Sequence, residues 1–149
     1  MEKELSFERL AGPFPSPPFP SLRVSPLGVV PKKTPGQFLL LQHLSYPSSA
    51  SVNDYIPPEH TTVTYARVDD AIRLITQSGV GSFLAKTDIK SAFRIISIRP
   101  EVYHLLGMRW RGLLYYDRCM VMGCASSRLL SLSLAQLNGL PGPSFPYLT

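Results

Sequence analysis

Two short apolar runs stand out early in the chain. Leu27-Gly28-Val29-Val30-Pro31 and Phe38-Leu39-Leu40-Leu41-Gln42 flank Lys32-Lys33-Thr34-Pro35-Gly36. Pro-Gly between apolar runs is a turn signal, so a hairpin with a basic tip is expected. From 68 to 78 the period changes. Val68, Ala71, Ile72 and Ile75 share one helical face, Asp69 and Asp70 fall in the first turn, and Gly79 or Gly81 supplies a stop. Phe83 to Ile89 reads as a buried strand with Asp88 near its end, followed by a tight helical turn at Ser91 to Ile95. Pro100 fits the first position of a short helix. Leu105–Trp110 and Leu113–Cys119 form a second hairpin around Arg111-Gly112.

The ends look different. Pro13, Pro15, Pro17, Pro18 and Pro20 fall almost on alternate residues, which opposes both helix and central strand. Residues 1–25 are therefore expected to be a poorly ordered leader, and 45–60, rich in Ser, Pro and Asn, to be loop. Residues 129–149 carry no charged side chain and are broken by Pro141, Pro143 and Pro146, so they read as a tail unrelated to what precedes them.

Charge sharpens the picture. The chain has 149 residues and a formal net charge of +5. The excess lies in 86–128, where Lys86, Lys90, Arg94, Arg99, Arg109, Arg111, Arg118 and Arg128 face only Asp88, Glu101 and Asp117. Such a segment suits a polyanion, although on charge alone a solvated basic face explains it better. Cys119 and Cys124 fit no zinc spacing and no disulfide framework. A charged start and the lack of a long apolar run argue against a signal peptide and a membrane span, so an intracellular location, cytoplasmic or nuclear, is expected.

The chemistry concentrates in Lys86-Thr87-Asp88-Ile89-Lys90-Ser91-Ala92-Phe93-Arg94. A carboxylate at the end of a core strand is costly unless it is paired or binds a metal. Taken alone, Asp88 is better read as a cap on the next turn, and Phe93 as core packing. Tyr116-Asp117 reads as hairpin strand, with Asp117 offset by Arg118 or Arg109.

Thr87 to Phe93 resembles motif A of retroelement reverse transcriptases. Further blocks follow in the family's order: Ser25 to Lys33, His43 to Pro47, Ser51 to Pro58, His104 to Trp110, Tyr116 to Cys119, and Met122 to Ser127. Together they span about residues 25 to 127 and look most like the DIRS-like, tyrosine-recombinase class of retrotransposons. The resemblance implies an α+β fold, an incomplete right-hand polymerase. Residues 1–25 would be leader, 26–85 fingers-like, 86–128 partial palm and 129–149 non-homologous tail.

It also implies roles. Asp88 and the backbone carbonyl of Ile89 would hold Mg²⁺. Phe93 would press on the sugar and select deoxynucleotides. Lys32 and Lys33 would cover the triphosphate, and Met122 and Gly123 would let the backbone approach nucleotide or template. Arg94, Arg99, Ser126 and Ser127 would touch the RNA or DNA template-primer. The departures are equally specific. Leu39 stands where the family has a triphosphate-gripping Arg, and Val121 where a Pro precedes the motif B pair. No acidic residue follows Asp117, so the two aspartates of motif C are not in this sequence. Two-metal catalysis from a single carboxylate is not credible. The expectation is a truncated RNA-directed DNA polymerase domain without activity of its own. The alternative is a non-catalytic nucleic-acid-binding or interaction module derived from a retroelement.

Overall fold

A computed structural model describes residues 1–63, 65–85, 89 and 91–127. Both expected hairpins form. Strands β2 (Leu27–Pro31) and β3 (Phe38–Gln42) pair antiparallel with Val29 opposite Leu40. Their tip closes through Lys32 N–H donating to the Gln37 carbonyl at 2.8 Å, with Gly36 at φ +75°. Strands β4 (Gly107–Trp110) and β5 (Leu113–Asp117) pair with Trp110 opposite Leu113. The two residues between them, Arg111 and Gly112, have φ of 49° and 82°. A two-residue hairpin loop needs left-handed backbone at both positions to match strand twist.

The first correction concerns the leader. Residues 1–25 are not disordered: they contain helix α1 (Glu2–Ser6) and strand β1 (Leu10–Phe14). β1 pairs antiparallel with β5, giving a three-stranded sheet in the order β1-β5-β4. Leu10 and Ala11 are buried. The prolines do not prevent this, because β1 is an edge strand, where a missing N–H is tolerated. Gly12 has φ +130°, and a Cβ there would come within 2.6 Å of the Tyr115 ring.

Successive residues of β5 point to opposite faces, and both faces are covered. Tyr115 packs with Leu10 and Met108, against which Met1, Leu5, Leu27 and Leu113 also lie. Tyr116, on the other face, meets Phe14 (5.7 Å, stacked), Phe19 (5.0 Å) and Tyr103 (5.3 Å). The Pro-rich segment thus supplies two of the three rings around Tyr116. A second cluster joins Leu44, Leu106 and Val121.

Gly107 links the sheets. Its N–H donates to the Arg23 carbonyl (3.0 Å), and its carbonyl accepts from Ser25 N–H (3.0 Å) and Gln42 Nε2 (2.8 Å). A Cβ at 107 would lie 2.6 Å from the Arg23 oxygen, so only glycine permits the crossing.

Helix α2 (Val68–Ser78) has the expected bounds. The Asp70 carboxylate accepts from Arg67 N–H at 2.9 Å, and Gly79 ends the helix at φ +83°. Its apolar stripe is uncovered, however: Val68 is 77% exposed and Ile72 54%. The buried strand expected at Phe83–Ile89 is a second correction. Phe83 and Leu84 lie in no strand and are exposed. Both edges of β5 are taken by β1 and β4, and among the described residues Phe83–Leu84 has no ladder partner to satisfy a buried backbone. Asp88, with Lys86, Thr87 and Lys90, lies outside the described residues, as does the tail 129–149. The 3₁₀ turns Ala92–Ile95 and Pro100–Leu105 fall where short helical turns are expected. Mixed helices and antiparallel sheets make the architecture α+β. No helix among the described residues is long and apolar enough to cross a membrane.

Leu10→Ala tests the integration of the N-terminal segment. It should cost about 2–4 kcal/mol in chemical denaturation, the usual range for truncating a buried Leu. A loss below about 0.5 kcal/mol, typical of surface sites, would return residues 1–25 to the role of a passive leader.

Candidate functional site

A cavity of about 870 Å³ opens between α1, the β2–β3 hairpin, Ile89 and residues 91–94. Four residues assigned to metal or nucleotide by resemblance line it: Lys32 from the hairpin, Ile89, Phe93 and Met122. They come from three separated stretches of sequence, Ile89 and Phe93 sharing one. Leu39 lines it as well, so the position expected to carry a forked cationic donor offers an apolar surface instead. Lys33 is exposed at the hairpin tip, and Arg99 is exposed without joining the lining.

Arg94 departs from expectation. It is not a free cation on a basic face: its side chain is 19% exposed and held by two carboxylates. Nε donates to Glu4 Oε2 at 3.1 Å, and Nη2 lies 3.0 Å from the same oxygen. Nη2 also lies 2.6 Å from Asp117 Oδ1, a Coulombic contact off the direction of a hydrogen bond. The partner of Asp117 is thus Arg94, and neither Arg118 nor Arg109. The sequence neighbours are nearer along the chain, but alternation on β4 and β5 does not bring them to the buried carboxylate, whereas the Ala92–Ile95 turn does. Burial pushes the Asp117 carboxyl up to about 6; Arg94 opposes that shift, and Glu4 adds to it. Two carboxylates sharing one guanidinium leave the cluster one negative charge in excess.

The motif B stretch is shaped by intramolecular contacts. Gly123, at φ +114°, sits so close to the Gln42 carbonyl that a Cβ would collide with it. Its small size therefore serves an approach to this chain's own backbone. Ser127 is buried and donates from Oγ to the Val121 carbonyl at 2.7 Å, and Ser126 Oγ lies 3.3 Å from Cys124 Sγ. Ser127 Oγ is thus engaged within the chain.

Asn53, which the sequence reading did not single out, holds this loop. Its Nδ2 donates to Ser45 Oγ and to the Gly123 carbonyl, both at 2.8 Å, and its Oδ1 accepts from Ala125 N–H at 2.9 Å. The signal was present in part: Asn53 lies within one of the ordered blocks. Asp54 beside it accepts from Ser51 N–H and Oγ, both at 2.7 Å, and these bonds hold its carboxyl below the ordinary value.

Fit to Mg²⁺ can be judged from the lining. The acidic residues facing the cavity among the described residues, Glu4 and Asp117, are both committed to Arg94. No group of three or more His, Cys, Asp or Glu among the described residues could hold a metal. Asp88, the side-chain ligand implied by the resemblance, lies outside the described residues. Comparison with protein-family models, curated proteins and solved structures gives no match for the chain.

The Asp117 carboxyl generates a pH prediction. Its folded value, about 6, lies above the ordinary 3.8, so the native state holds the proton more tightly. The resulting stabilisation is full below about 3.8 and is lost as pH rises through 6. Among the described residues, Arg94, Glu4, Arg9 and Cys119 are the charged or titratable groups around it. Thermal melts at pH 5 and pH 7.5 should show wild type losing stability relative to Asp117→Asn by about 1.4 kcal/mol, the one pKa unit between pH 5 and 6. Parallel pH profiles for the two proteins would refute the assignment.

Proposed function

We propose that this chain is a fingers-and-partial-palm portion of a retroelement reverse transcriptase that binds nucleic acid or nucleotide but does not polymerise as these 149 residues. The carrying observation is the shared cavity: Lys32, Ile89 with Phe93, and Met122 belong to three blocks of the resemblance and line one space. The Asn53 bonds add support, because they join the Ser51 to Pro58 block to the Met122 to Ser127 block across some seventy residues of chain.

On this reading the ligand is polyanionic. Lys32, with Lys33 beside it, meets phosphate, and Phe93 stacks or presses against a sugar, which favours deoxynucleotides. Polymerisation needs two divalent ions held by several carboxylates. Asp88 is the one candidate ligand side chain the resemblance supplies here, and Glu4 and Asp117 are already paired with Arg94. The apolar Leu39 removes a further grip on triphosphate.

Two measurements test this. In primer extension on an RNA template with deoxynucleotides and Mg²⁺ or Mn²⁺, no product is expected; extension abolished by Asp88→Asn would overturn the inactive assignment. In fluorescence anisotropy with a single-stranded oligonucleotide, binding should be weak and should fall steeply with salt. Lys32→Ala with Lys33→Ala should lower the log–log salt slope by about 1.4, about 0.7 per lost phosphate contact on a single strand. An unchanged slope would remove the hairpin tip from the binding face.

A further inference from the structure

We infer that the N-terminal segment, residues 1–9, is a displaceable strap that competes with nucleic-acid phosphate for Arg94. The inference rests on the polyanion-binding reading above and adds regulation to that site.

Arg94 has more anionic partner than it needs. Asp117 is buried on β5, inside the sheet, and cannot leave without opening the core. Glu4 is different. It sits on a helix of only five residues, with no buried residue and no side-chain cap. So short a helix does not hold itself together, since nucleation is unfavourable and few turns repay it. What fastens α1 is outside it: Met1 and Leu5 resting on the Leu10–Met108–Tyr115 cluster, and the Glu4–Arg94 pair.

The position of the strap is the second observation. Met1, Lys3, Glu4 and Phe7 form one wall of the cavity that also contains Lys32, Phe93 and Met122. A phosphate entering toward Lys32 therefore finds the guanidinium occupied by a carboxylate, its closest chemical stand-in among side chains. Exchange is cheap in charge terms. Glu4 leaves for solvent, to which its side chain is already 35% exposed, and a phosphate oxygen takes the same fork of donors. Removal of Glu4 also relieves the crowding of two carboxylates on one cation. Lys3 and Arg9, which lie over the Phe7 ring at 5.9 and 5.0 Å, travel with the segment or stay at its base, and keep the displaced strap near the polyanion.

The test uses the full chain and a fluorescein-labelled oligo-dT 20-mer, with anisotropy read across a salt series at pH 7.5. Glu4→Gln should bind about three- to tenfold tighter than wild type and steepen the salt slope by about 0.7, one added phosphate contact on a single strand. Glu2→Gln removes the same charge from the same helix without touching Arg94, and should change affinity by less than twofold. Hydrogen exchange supplies an independent readout on wild type: amides of residues 4–9 should exchange faster in the saturated complex than in the free chain. Equal effects of Glu4→Gln and Glu2→Gln, or unchanged protection of 4–9 in the complex, would overturn the strap while leaving nucleic-acid binding intact. No binding by any variant at low salt would overturn the strap together with the functional reading beneath it.

Discussion

Among the described residues, β5 is the one strand hydrogen-bonded along both edges, and the rest of the structure is arranged around that constraint. Five residues, Leu113 to Asp117, must satisfy two ladders and bury side chains on two faces. Tyr115 takes one face and Tyr116 the other. Neither could be buried without a strand from far along the chain, and β1 supplies it from about a hundred residues upstream. Once β1 is in place, α1 is carried to the mouth of the cavity and Glu4 to Arg94. The candidate site is therefore built partly from a segment whose composition reads as linker. The same dependence makes the fold exacting: loss of β1 exposes an edge of β5 and uncovers Leu10, Tyr115 and the Phe14–Tyr116 stack together.

What was legible in the sequence was local. Pro35-Gly36 and Arg111-Gly112 announce turns because the backbone conformations they adopt are costly for most other residues. The bounds of α2 follow from a 3.6-residue period, two early aspartates and Gly79. Each of these features is decided within about ten residues. The misread elements are those decided by partners. Five prolines in 13–20 speak against a central strand, yet β1 ends at Phe14 and needs only one edge. Phe83-Leu84 has the apolar content of a buried strand and, among the described residues, no ladder to join. The Asp117 carboxylate has Arg118 next to it in sequence and Arg109 on the paired strand, but the guanidinium that reaches it belongs to Arg94. Register and side-chain direction, which one sequence does not reveal, decide that choice.

The uncovered stripe of α2 carries a related lesson about helices. Its period and caps are good enough to specify the element, but specifying an element and burying it are separate events. Val68, Ile72 and Ile75 remain open to solvent, so α2 draws its order from the Asp70 bonds and its own backbone, with little contribution from packing. The stable part of the chain is accordingly the β1-β5-β4 sheet and the Leu44–Leu106–Val121 cluster, and Gly107 and Asn53 fasten the neighbouring hairpin and loop to it.

Counting charges along 86–128 overstates the cationic surface, because a cation matters to a ligand only if its present partner can be exchanged. Arg94 illustrates both cases on one guanidinium. Its pair with Asp117 is internal: the carboxylate is fixed in a two-sided strand, and parting the two would leave a buried charge on each side. Its pair with Glu4 is peripheral: the carboxylate rides on one and a half turns of helix and has solvent to go to. A phosphate need not break the first pair to replace the second. The basic excess of this segment is thus partly stored, with Asp117 orienting the guanidinium and Glu4 occupying its free edge, and the store opens only to an anion able to outbid a carboxylate already in place.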